Sequence, residues 1–84
     1  MSYEVILPKS AQKELDRLPD KIAKRILDAL AVLEAQPRPP GCKKLRGENA
    51  WRIRVGDYRV IYEIHDKVLR VIVVTVGHRR EVYR

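Results

Sequence analysis

Residues 51–64 read W-R-I-R-V-G-D-Y-R-V-I-Y-E-I, two alternating runs on either side of Gly56-Asp57. A two-residue step of this kind closes a tight β-hairpin. Side chains alternate between the two faces of a strand, so Trp51, Ile53 and Val55 share one face and Arg52 and Arg54 the other. Across the turn, Tyr58, Val60, Tyr62 and Ile64 join the first face, and Arg59, Ile61 and Glu63 the second. The turn length pairs Val55 with Tyr58, Arg54 with Arg59, Ile53 with Val60 and Arg52 with Ile61. One side of the hairpin is therefore apolar, and three arginines crowd the other. Like charges facing each other across a sheet are unfavourable, so the crowd points to an anionic partner.

Working outward, Asp66-Lys67 reads as a second tight turn, followed by a third strand. Leu69, Val71, Val73 and Thr75 continue the apolar face, and Arg70, Ile72, Val74 and Val76 fall on the arginine side. This register sets Glu63 opposite Arg70 as a cross-strand ion pair. Ahead of the hairpin, Tyr3, Val5 and Leu7 alternate as a short first strand. Pro8 then suits the first turn of a helix, where its missing N–H is no loss. Ala11, Leu15 and Leu18 follow at helical spacing, with Lys9, Lys13 and Arg17 outward. Pro19 breaks that helix and starts another, whose stripe is Ile22, Ile26, Ala29, Leu30 and Leu33. Pro37, Pro39, Pro40 and Gly41 end it, and residues 42–50 form a basic connector. The expected fold is α+β: one small domain spanning residues 1–84, with an N-terminal strand, an antiparallel helical hairpin and a three-strand antiparallel meander in one sheet.

The 84 residues carry a formal net charge of +7. Residues 1–41 hold 7 Lys/Arg and 6 Asp/Glu, and residues 42–84 hold 11 and 5, so nearly all the excess lies in the second half. That asymmetry favours nucleic acid as the partner. Cys42 is the single cysteine, so no internal disulfide forms and a bystander thiol is the expected role. No apolar run is long enough to cross a bilayer, and the N-terminus has no signal-peptide pattern. A cytoplasmic protein without membrane contact is expected.

The residues offer little for metal or cofactor chemistry. His65 and His78 lie thirteen positions apart, with no H-E-x-x-H motif, no Gly-rich phosphate loop and no Ser-His-Asp arrangement. What remains is Arg, Lys, Tyr and His around one sheet face, a set suited to binding a phosphodiester and stabilising the extra charge of its transition state. RNA carries its own nucleophile, the 2′-hydroxyl, so metal-free cleavage needs positioning, proton transfer and cationic stabilisation. Arg59 fits a phosphate clamp, Arg79 charge stabilisation, and His78 or Tyr83 proton transfer. Lys43, Lys44, Arg46, Arg52, Arg54 and Arg80 are expected to hold RNA. His65, beside a turn, reads as structural, and Trp51, Tyr58 and Tyr62 as core.

The order strand, two helices, three strands, with Y-R-V-I-Y-E-I at residues 58–64 and V-G-H-R-R-E-V-Y at residues 76–83, resembles the RelE/ParE superfamily of toxins, and the RelE branch within it. The resemblance runs over almost the whole chain. It implies a toxin of a type II toxin–antitoxin system that cuts messenger RNA in the ribosomal A site and leaves a 2′,3′-cyclic phosphate, with no cofactor. Its implied partners are a cognate antitoxin, the ribosome with its message, and operator DNA reached only through the antitoxin complex. Arg59, Arg79 and Tyr83 match the family's functional positions. Arg52 and Arg54 stand where a well-studied RelE-type arrangement has lysines. Arginine does not give up its proton, so His78 or Lys44 becomes the expected general base. The chain also stops at Arg84, where some RelE proteins continue into a C-terminal helix. Two other readings compete: a ParE-like toxin that inhibits DNA gyrase by protein contact, and a non-catalytic nucleic-acid-binding subunit of a repressor.

Overall fold

The computed structural model of the protein describes residues 2–46 and 49–78. Strand β1 (Glu4–Ile6) leads into α1 (Lys9–Asp16) and α2 (Asp20–Ala35). Four strands follow: β2 (Lys43–Lys44), β3 (Ala50–Val55), β4 (Tyr58–His65) and β5 (Arg70–His78). They form one sheet in the order β1-β5-β4-β3-β2. Pairing is antiparallel except where β1 lies parallel to β5, the chain between them running through both helices and the other three strands. The expected α+β architecture is present, with β2 added from a stretch read as connector. No helix among the described residues is long and apolar enough to cross a membrane.

Both prolines sit at the N-caps rather than inside the first turns. The Pro8 carbonyl accepts from Gln12 N–H, and the Pro19 carbonyl from Ile22 and Ala23. Each thus starts a helix without needing an N–H of its own. The helical stripes pack as their spacing requires: Ala11, Leu15, Ile26 and Leu33 are almost wholly buried with Val60, Tyr62, Ile64, Val71 and Val73 of the sheet. Tyr62 also donates its hydroxyl to the Pro37 carbonyl at 2.8 Å, which ties the proline-rich link to the core.

The β3–β4 register matches the expected one at all four pairs. Gly56 has φ +61°, and Asp57 is not left-handed, the II′ pattern that a leading glycine fits. The β4–β5 connection differs. Its turn runs from Asp66 to Leu69 rather than over two residues, and Leu69 takes a left-handed φ of 53°. Glu63 therefore faces Ile72, and Arg70 faces His65. The expected Glu63–Arg70 pair is replaced by His65–Glu63 at 2.9 Å and Arg70–Glu4 at 3.4 Å.

A register shift between Ile61 and Tyr62 then passes Val74 without a partner. A bulge of this kind reverses the face of every later side chain on its strand. Val76, expected among the arginines, is 2% exposed in the core, whereas Val74 is 42% exposed. Thr75 instead shares the arginine side with Ile61.

Candidate nucleic-acid interface

The face opposite the helices carries the arginines. Arg54 pairs with Arg59 and Arg52 with Ile61, and on the next strand Gly77 faces Arg59. Gly77 brings no side chain to that position. On the other flank β2 sets Lys43 against Arg52. The row thus runs Lys43, Arg52, Arg54, Arg59 over three adjacent strands. Arg54 and Lys43 are exposed, but Arg52 and Arg59 are only 6% and 5% exposed. Side chains held this closely have little rotamer freedom left to lose when an anion arrives. The alternation identified the face; it gave no sign of this burial.

The expected residues do not all meet. Lys44 pairs with Trp51, on the helix side of the sheet, so Lys43 rather than Lys44 belongs to the arginine row. Arg46 is exposed just after β2. His78 pairs with Tyr58, their rings meeting edge to face at 5.5 Å between centroids. Both line a cleft of about 410 Å³ with Glu14, Arg17 and Leu18 of the α1 end, which also places His78 on the helix side, away from Arg59. The bulge at Val74 is the cause. Arg79, Arg80 and Tyr83 lie outside the described residues. Among the described residues no three His, Cys, Asp or Glu side chains converge as a metal site would require.

The far end of the same face differs in charge. Glu63 holds His65, and Glu4 holds Arg70, so acids and bases are paired there. The sheet face is polarised along its strands.

These features are those of a known group. The model of a family described as the ParE toxin of the type II toxin-antitoxin system, parDE, matches residues 5–83. The chain belongs to this family. Among curated relatives, Toxin RelG of Mycobacterium tuberculosis is 34% identical over 87 residues, covering 100% of this chain and 99% of that protein. Toxin RelE of the same organism is 36% identical over 85 residues, covering 98% and 87%. Two solved structures share the fold. The archaeal RelE–RelB complex from Pyrococcus horikoshii OT3 aligns at a TM-score of 0.84 with 33% identity, covering 94% of this chain and 97% of that one. The isolated E. coli RelE toxin aligns at 0.81 with 29% identity, covering 98% and 92%. The family model carries the ParE name and these relatives carry RelE names, as befits one RelE/ParE superfamily. The protein is a toxin of a type II toxin–antitoxin system, as its two motifs implied.

Proposed function

We propose that this protein is a ribosome-dependent endoribonuclease that cuts messenger RNA in the A site and thereby inhibits translation. The observation that carries the reading is the row Lys43, Arg52, Arg54 and Arg59 on one sheet face, two of its arginines held almost out of solvent. In the reaction the 2′-hydroxyl gives its proton to solvent water and its oxygen bonds to the adjacent phosphorus as the P–O5′ bond breaks, leaving a 2′,3′-cyclic phosphate and, once the 5′-oxygen is protonated, a 5′-hydroxyl. The row's task is electrostatic: Arg59 and Arg52 bind the scissile phosphate and neutralise the charge that grows on it, fixed in place beforehand. From the resemblance, Arg79 adds to that neutralisation and Tyr83 supplies the proton to the departing 5′-oxygen. Neither Arg52 nor Arg54 accepts the 2′-hydroxyl proton, because a guanidinium stays charged.

The toxin is held inactive in the cytoplasm by a cognate antitoxin, through which alone it reaches operator DNA. Support comes from the solved relatives, several of which are toxin–antitoxin complexes. The test is expression without the antitoxin, followed by primer-extension mapping of message ends on stalled ribosomes. Wild type should cut within A-site codons, and Arg59→Ala should slow cutting about 100-fold, the typical loss for one preorganised charge-stabilising group. Intact messages would overturn the reading. The ParE name of the family model favours one other outcome, gyrase inhibition, which would appear as a DNA-damage response with messages uncut.

A further inference from the structure

Strand β1 spans three residues and pairs with β5 only at Arg70, Val71 and Ile72. Among the described residues, that edge of β5 has no neighbouring strand beyond Ile72, and α1 lies against it instead. Glu14 Oε1 accepts the Val76 N–H at 3.0 Å, doing for one backbone donor what the missing strand would have done. Glu14 falls between Ala11 and Leu18 on the inward stripe of α1, an acidic residue where the helical period calls for an apolar one. Its carboxylate is half-buried and lines the cleft with Tyr58, Gly77 and His78. A part-buried carboxylate on a core stripe is costly unless it is hydrogen-bonded, and its partner here is the strand that leads into the H-R-R-E-V-Y tail.

We propose that Glu14 is a positioning residue: by holding the Val76 N–H it fixes the end of β5, and so sets Gly77 beside Arg59 and the start of the chain that carries Arg79. The role rests on the proposed nuclease reading. A strand end released from α1 moves Gly77 relative to the arginine row, and misplacement by about 1 Å costs on the order of 100-fold in a positioned reaction.

The test compares Glu14→Ala, Glu14→Asp and Glu14→Gln with wild type in single-turnover cleavage on programmed ribosomes, alongside amide hydrogen exchange at Val76. Gln keeps an acceptor oxygen at the same reach; Asp is one methylene too short. Ala and Asp should lower the saturating rate about tenfold or more while leaving the half-saturating ribosome concentration nearly unchanged, and Gln should restore most of the rate. Val76 exchange should speed up in Ala and Asp and stay slow in Gln. Should Ala fail to fold, Asp and Gln still carry the comparison. Unchanged rates in a wild type that cuts, or slow exchange in all variants, would overturn the role of Glu14 alone. A wild type that cuts no message would overturn the nuclease reading, and the positioning role with it.

Discussion

Asp66 accepts from two side chains distant in sequence, Tyr3 Oη at 2.7 Å and the Arg38 guanidinium at 3.2 and 2.9 Å. Arg38 also lies 5.0 Å from the centre of the Trp51 ring, so one cation joins the proline-rich link to the start of β3 and to the β4–β5 turn. Hydrogen bonds from Arg38 first, and then from Tyr3, hold the Asp66 carboxyl at about 2, below its ordinary 3.8. The same bond pushes the Tyr3 hydroxyl upward. Because the folded value lies below the unfolded one, the clamp's contribution is present above about pH 4 and is lost as pH falls toward 2. Arg38→Ala should return the carboxyl toward 3.8, read by carbon NMR titration of Asp66. A titration that stayed near 2 would show that Tyr3 suffices. Tyr62 differs in being fully buried. Desolvation pushes its phenol far above the ordinary range, so it stays a donor to the Pro37 carbonyl. Tyr62→Phe leaves that buried acceptor unmet and should cost about 1–3 kcal/mol in urea unfolding.

At the scale of elements, β5 decides which residues can work together. Its bulge at Val74 puts Val76 in the core and Gly77 beside Arg59. Deleting Val74 would remove the unpaired residue and leave Thr75 opposite Ile61 and Val76 opposite Val60, with Val76 still in the core. Loss of one exposed side chain should change stability by no more than about 0.5 kcal/mol, so the urea midpoint should stay close to that of wild type. A clearly lowered midpoint would mean that the bulge itself holds β5 in place. The sequence V-I-V-V-T-V contains no glycine or proline to announce the bulge, and any of its valines suits either face. The β3–β4 pairing was legible because Gly56-Asp57 fixes turn and register locally. Asp66-Lys67 looked equally local, yet the Asp66 carboxylate is engaged by Arg38 and Tyr3, and the turn extends to Leu69. Likewise Lys43–Lys44 becomes a strand only because β3 offers a free edge, which no property of two lysines reveals. Local chemistry was readable; pairings that depend on distant partners were not. For the site, this left the arginine face legible and the sides of His78, Lys44 and Glu14 hidden.

For the whole molecule, the question is how a net charge of +7 is spent. The helices carry both signs, and the far end of the sheet face pairs its acids with His65 and Arg70. Lys43, Arg52, Arg54 and Arg59 lie together at the other end of that face. On the proposed reading, affinity for RNA should fall steeply with salt as counterions are released from the phosphates. For single-stranded RNA the slope of log affinity against log salt changes by about 0.7 for each phosphate contact removed. Arg54→Ala and Lys43→Ala, both at exposed positions that leave the core untouched, should each reduce the slope by about that amount. Arg70→Ala, at the end where charge is already paired, should leave it unchanged. Fluorescence anisotropy of a short labelled RNA across a salt series measures all three. Equal slopes for all three variants would mean that RNA is held by the general charge of the molecule, and that the row at the β3–β4 end has no privileged part in capture.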